Sequence, residues 1–333
     1  VSRRTAALAV LLAAGLAAGP GAPPARAAEA AEPTATQIFL EPLTSFWQHL
    51  EEGNFSGPRG VAYDRKHDEV WVADTLNQRL AVFTPDGLPL YTSTPGAQVV
   101  EPTRIAVEPD GKLLVLDNDR SRIAELDWRG HWIGPLELPG LPEKPSIGAI
   151  ELDDEGNLYV GEDTLGEIIV YGPDRQVRQR FGRRGWDRGE FQSIADIAVD
   201  EKHIVVIDHQ VLAVQVFDRH GNFLHGFGEH QMGIENFSLP EAAVFDAKGR
   251  LVIVDALRHE IKLFTVEGRF LDRFGGLGTR PGQVAFPSDV ATDGRDRIYV
   301  AERGGGRVQV FRELERPAPP RKGRPARRTR PSP

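Results

Sequence analysis

The sequence predicts an all-β fold: a six-bladed β-propeller of four-stranded antiparallel blades, with an N-terminal strand closing the last blade. Three observations predict it. First, residues 237–275 hold four apolar runs separated by turns at Lys248-Gly249, Ala256–His259 and Glu267-Gly268. Short β-branched and aromatic runs bounded by such turns read as antiparallel strands. Second, the second strand of this unit recurs six times, each copy ending in a carboxylate: Asp74, Asp117, Glu162, Asp208, Asp255 and Glu302. The steps between them are 43, 45, 46, 47 and 47 residues. Third, the third strand starts five residues after every carboxylate, at Arg79, Arg122, Glu167, Ala213, Glu260 and Arg307. A period in the forties with four short strands per period is a propeller signature. A small twisted sheet buries both faces only between two neighbours, and a closed ring supplies them.

Residues 1–27 read as a secretory signal peptide. Arg3-Arg4 is a basic start, Thr5–Gly19 an apolar stretch, and Ala25-Arg26-Ala27 a small-x-small cleavage signal. The apolar run falls short of the ~20 residues a span needs, so no transmembrane segment is expected. The chain contains no cysteine, which excludes disulfides and a Cys-x-x-Cys-His haem attachment. Export without cysteine fits a bacterial periplasm or exterior. Residues 28–36 form an Ala/Glu/Pro linker. Gln37–Leu40 is a strand-like run with no blade of its own, and blade 6 stops after its third strand at Phe311. Residues 37–40 are therefore expected to pair with 307–311 and complete blade 6, because an unpaired edge is a liability. The propeller then spans 37–312.

Residues 313–333 form a basic Pro/Arg-rich tail that is expected to be disordered. Residues 312–333 hold eight Lys/Arg and two Glu, and residues 1–27 hold three Arg and no acid. With these set aside, 29 basic and 46 acidic residues remain, a formal charge of −17. The tail either solubilises the chain end or makes an electrostatic contact with an anionic surface.

Pro-x-x-(Val/Ile)-Ala-x-Asp, an apolar run ending Val-x-Asp, then Arg-(Ile/Leu/Val)-x-Val-Phe resembles the NHL repeat. Blade 1 carries Pro58, Val61, Ala62, Asp64, Val72, Asp74, Asn77, Arg79, Val82 and Phe83; blade 6 carries Pro287, Val290, Ala291, Asp293, Val300, Glu302, Arg307, Val310 and Phe311. Blade 3 departs most, since Ser146–Asp153 lacks the proline register and Glu167 replaces the arginine. The resemblance covers residues 36–312 and implies the propeller fold. It implies no single activity, because propellers host many functions. NHL propellers elsewhere include RNA readers with a basic face. An acidic exported propeller is expected to bind no nucleic acid.

Several residue sets are candidates for function. The six carboxylates should ring one face, where they either hold a cation or accept backbone N–H bonds in their own turns. The position before the Val-Ala of each inner strand reads Gly60, Arg104, Ala149, Asp196, Ala243 and Asp289. Asp196 and Asp289 should lie near the channel mouth and either bind a divalent cation or pair with Arg104. His209, His230 and His259 fall on the carboxylate-ring face, beside acidic residues, as a candidate zinc or copper set. The connection Arg183-Arg184-Gly185-Trp186 falls on the same face, and Arg and Trp are enriched at binding hot spots. The chain has no Gly-x-Ser-x-Gly, His-Glu-x-x-His or phosphate loop.

These features point to a non-catalytic exported platform engaging a protein, peptide or glycan partner through Arg183, Arg184, Trp186, Arg104, Asp196 and Asp289, with no cofactor beyond a candidate divalent cation. One alternative is a metal-dependent lyase or hydrolase, since the resemblance extends to a peptide-amidating lyase and lactonases. Another is a structural component of a cell-envelope complex.

Overall fold

The computed structural model describes residues 36–49 and 52–317. The expected signal peptide, residues 28–35 of the linker and residues 318–333 lie outside the described residues. Six four-stranded antiparallel sheets follow one another along the chain. Their inner strands are Gly60–Asp64, Pro102–Val107, Ile147–Leu152, Ile194–Val199, Pro240–Phe245 and Pro287–Thr292. Each inner strand packs on the inner strands of both neighbouring blades, and the sixth meets the first, so the ring closes. The second strands end on Asp74, Asp117, Glu162, Asp208, Asp255 and Glu302.

The strand Thr36–Phe46 is the outermost of the sixth sheet, beside Arg307–Pro317. Chain closure is therefore shared by the two ends of the fold, and the third strand of blade 6 is paired on both sides. Both strands run longer than the sequence suggested, eleven residues each. The last continues past residue 312 because its polar side chains find partners on blade 5. Glu313 and Glu315 accept ion pairs from Lys248 Nζ at 2.6 and 2.5 Å, and Glu313 also pairs with Arg250. The strand's end thus lies at Pro317, beyond the expected tail boundary.

The core lies between blades, where each large apolar cluster draws on adjacent sheets. Phe46 of the closing strand is buried and stacks on Phe83 of blade 1 at 4.4 Å. The connections leading into blades 1, 4 and 5 insert Phe55, Phe191 and Phe237, all buried. Gly182 and Gly228 precede two of them with φ of 84° and 71°. A Cβ at either would fall 2.5 or 2.4 Å from the incoming phenylalanine ring, so glycine is required twice over.

This architecture leaves two faces. One carries the turns between second and third strands together with the connections between blades; it is called the loop face below. The other carries the tight turns between first and second and between third and fourth strands. The inner strands line a central channel that joins the two.

Candidate functional site

The six turn carboxylates are buried, and each accepts backbone N–H bonds from the loop that enters its own blade. Asp74 accepts from Ser56 N at 2.7 Å, and Asp117 from Val100 N and Glu101 N, both at 2.8 Å. Glu162 accepts from Ser146 N at 2.7 Å. Asp208 accepts four, from Gln192, Ser193, Gln210 and Val211. Asp255 and Glu302 repeat the pattern with Ser238 N, Leu239 N and Ala285 N. A carboxylate with two acceptor oxygens satisfies several orphan N–H groups of a tight connection at once. These side chains fasten each connection to its turn and have little capacity left for a cation.

In the channel, the residue opposite the last apolar position of the second strand is Gly60, Arg104, Ala149, Asp196, Ala242 or Asp289. Ala242 therefore takes the place expected for Ala243. The reason is that Ala243, paired with Ile253, fills the apolar place held by Val61, Ile105, Ile150, Ile197 and Val290 in the other blades, and a bulge residue, Glu241, precedes Ala242. Blades 2 to 6 each carry such a bulge. It turns carbonyls toward the axis, and Arg104 collects them. Its Nη1 donates to Ser288 O at 2.9 Å, and its Nη2 to Glu241 O at 2.8 Å and Ala195 O at 3.3 Å. The same Nη1 lies 2.9 Å from Asp289 Oδ1.

The two aspartates act as staples between blades. Asp289 Oδ2 accepts Val61 N of blade 1 at 2.9 Å, and Asp196 Oδ2 accepts Ala243 N of blade 5 at 2.8 Å. Burial pushes the Asp196 carboxyl up to about 7, with Arg104 opposing and Asp289 adding to the shift. Burial raises Asp289 too, against Arg104, and raises Glu151 well above the usual carboxylate range, with Asp196 and Asp289 adding to it. Arg104, Asp196 and Asp289 are brought together as the sequence suggested. The arrangement is a lock of one arginine on blade 2 against blades 4, 5 and 6, and the ion pair within it is Arg104–Asp289.

A second ring, not singled out in the sequence, surrounds the channel mouth on the loop face. It consists of the residues that directly follow the turn carboxylates: Thr75, Asn118, Asp163, His209, Ala256 and Arg303. His209 N donates to Ser193 O at 2.9 Å and Arg303 N to Phe286 O at 3.2 Å, fixing these residues beside the blade entries. Their side chains reach neighbouring blades. Arg59 donates to Asn118 Oδ1 at 2.7 Å, and Arg120 pairs with Asp163 at 2.6 Å. His209 Nε2 and Arg303 Nη2 each lie 3.6 Å from Glu241, one on each carboxylate oxygen. Burial pushes the Glu241 carboxyl up, but the nearby His209 ring and the charges of Arg104 and Arg303 outweigh it and leave it below the usual range. The signal available in the sequence was a polar residue after the carboxylate in five of six blades.

Two blades match the NHL repeat. The matched residues are 55–83 and 285–311. Protein brain tumor from Drosophila melanogaster is 27% identical over 157 residues, covering 44% of this chain. The chain spans 15% of the length of that protein. Among solved structures, virginiamycin B lyase from Staphylococcus aureus aligns with a TM-score of 0.55 at 14% identity, over 84% of this chain and 99% of that one. A protein of unknown function from Bacteroides thetaiotaomicron aligns with a TM-score of 0.59 at 14% identity, over 84% and 76%. At that identity the likeness concerns the fold.

The three histidines are not brought together as a metal set. His209 is drawn inward to Glu241, while His259 packs edge-on against Phe286 at 4.5 Å, its Nδ1 accepting Phe286 N at 3.1 Å. His230 lies in the connection between blades 4 and 5. Among the described residues no three His, Asp or Glu side chains are placed to hold a metal ion. Arg183 and Arg184 are partly spent within the chain, on Glu190 Oε1 at 2.6 Å and Asp163 O at 2.6 Å. Trp186 is 66% exposed. It stands on the rim of a cleft of about 600 Å³ lined also by Leu212, Phe227, Phe264, Glu229 and Glu235. Nearby in the next connection, Met232 is 94% exposed. On the opposite face Trp128 meets Arg129 at 4.5 Å and stacks on His67 at 5.2 Å.

Proposed function

We propose that this chain is an exported, non-catalytic binding platform that engages a protein, peptide or glycan partner through the loop face of its propeller. The observation that carries this reading is the exposed apolar set on that face. Trp186, Met232, Ile234, Leu257 and Leu277 are all more than half exposed, and Trp186 lines a cleft of about 600 Å³. Rim-exposed aromatic and flexible apolar groups around a pocket are the usual anatomy of an interaction surface. Arg104, Asp196 and Asp289, expected to meet the partner, are engaged in bonds between blades, so this reading leaves the contact to the rim of the loop face. Export rests on Arg3-Arg4, the apolar stretch and Ala25-Arg26-Ala27. The test is capture of partners from envelope fractions by the mature chain and by its Trp186→Ala variant. Loss of a captured partner with an unchanged melting temperature is expected, and equal capture by both would overturn the assignment of the surface.

A further inference from the structure

Phe286 sits on the loop face in a backbone conformation that a bulky residue rarely adopts. Its φ is 51°, in the left-handed region. Blade 1 shows that the loop demands this conformation, since the matching residue is Gly57 with φ 56°. The match is fixed by hydrogen bonds. Ser56 N and Ala285 N each donate to their own turn carboxylate, and Leu76 N and Gly304 N donate to Ser56 O and Ala285 O.

The two blades fill the same space in opposite ways. In blade 1 the turn residue Leu76 lies over the glycine, with its Cδ1 3.1 Å from where a Cβ at Gly57 would be. In blade 6 the turn residue is Gly304, and a Cβ there would fall 2.6 Å from the Phe286 ring. The large side chain has moved from the relaxed position to the strained one. It does not serve the core, because it remains 36% exposed. Strain held in place by its surroundings, here the His259 bond and the glycine opposite, is found where a side chain is used.

Leu257 and Leu76 hold the second-to-third-strand turns of the neighbouring blades 5 and 1 on the same face, at 54% and 62% exposure. With Phe286 they place one exposed apolar group on each of three consecutive blades, an arc along the loop face. The rim beside it is rich in donors. Among the described residues Arg59, two positions after Gly57, is met by neutral Asn118, and Arg303, bonded to Phe286 O, shares the single carboxylate of Glu241 with His209. We propose that this arc binds a peptide segment presenting an apolar side chain next to an aspartate or glutamate. The apolar group would pack on Phe286 and the carboxylate would take the free donors of Arg59 and Arg303. This inference rests on the platform reading and locates its contact on blades 5, 6 and 1.

The experiment sorts a phage-displayed random peptide library on the full mature chain, then measures an enriched synthetic peptide against variants. Enrichment of an apolar residue beside Asp or Glu is expected. Phe286→Gly restores the residue blade 1 uses and should keep or raise the melting temperature while weakening the peptide by about tenfold or more. Arg303→Gln, and the peptide's own Asp→Asn or Glu→Gln change, should weaken it likewise. No enrichment, enrichment without acidic residues, or undiminished binding to both chain variants would overturn the inference. Peptides that depend on Trp186 and not on Phe286 would leave the platform standing and remove this arc from it.

Discussion

Arg104 Nη1 lies 2.9 Å from Asp289 Oδ1 while the same guanidinium donates to backbone carbonyls of Ser288, Glu241 and Ala195. One side chain from blade 2 thus holds the inner strands of blades 4, 5 and 6. Removing it would leave Asp289 buried without its ion-pair partner and three carbonyls without this donor. Breaking a buried pair by deleting one partner costs roughly 3–5 kcal/mol. Arg104→Leu should lower stability by about that amount in urea unfolding. A loss under about 1 kcal/mol would mean that water replaces the guanidinium at no cost.

Stability should also depend on pH through the channel. The Asp196 carboxyl is pushed from 3.8 to about 7 by burial. Between those values the folded chain holds a proton that the unfolded chain releases, so stability falls as pH rises through the window. Asp289 and Glu151, raised by burial, act with the same sign, whereas Glu241, lowered, changes stability only at more acid pH, below its ordinary value. Asp196→Asn keeps an oxygen for Ala243 N and removes the titration. The melting temperature of the variant should therefore decline less between about pH 5 and pH 7.5 than that of the parent. Parallel curves would show that Asp196 does not titrate there.

The blade count was legible because one carboxylate per blade ends the second strand and its partners lie nearby in sequence. Asp208, for example, bonds residues 192, 193, 210 and 211. Closure by the N-terminal strand was legible as a spare strand facing a missing one. The blade 5 channel position was not, since Ala243 stands where the other blades carry a β-branched residue to mark the register, so the position falls on Ala242 and not on Ala243. The His209–Glu241–Arg303 contact was hidden for another reason. It joins blades 4, 5 and 6 through residues 32 and 62 positions from Glu241 in sequence, and only the packing of each blade on the next brings those loops together. Nor does a phenylalanine in a sequence announce a positive φ; it took the comparison of Phe286 with Gly57 to expose it.

The ends of the fold can be tested by truncation. A chain starting after Phe46 loses the outer strand of blade 6, the buried Leu40 and the Phe46–Phe83 stack. Loss of one buried phenylalanine costs about 3–5 kcal/mol, so the truncation should melt far lower or aggregate through the bared edge. At the other end, truncation after Pro317 keeps Glu313 and Glu315, whereas truncation after Arg312 removes their pairs with Lys248 and Arg250. The first should leave the melting temperature unchanged and the second should lower it. Equal effects would place the true end of the fold elsewhere.

Lys262 offers a stabilising substitution. It is fully buried, with its Nζ donating to Asn236 O, 3.6 Å from Glu260, 3.7 Å from Asp255 and 4.7 Å from the Phe237 ring centre, and both carboxylates keep another cation, Arg273 for Glu260 and Arg258 for Asp255. Blades 4 and 6 do the same task with Gln215 and Gln309, whose amides bond the matching connections at Glu190 O and Gln283 O. An ammonium needs compensation for lost hydration that a neutral amide does not. Burial accordingly pushes the Lys262 amine below its usual range, with Asp255 opposing. Because the unfolded chain binds this proton more tightly, the penalty is present at neutral pH and fades as pH rises above the lowered value. Lys262→Gln should therefore be neutral or stabilising by about 1 kcal/mol at pH 7, and its advantage should shrink toward high pH. Lys262→Met, which leaves Asn236 O without this donor, should cost about 1–3 kcal/mol. A glutamine variant as damaged as the methionine one would show that the ammonium's charge, through Asp255, is what blade 5 requires.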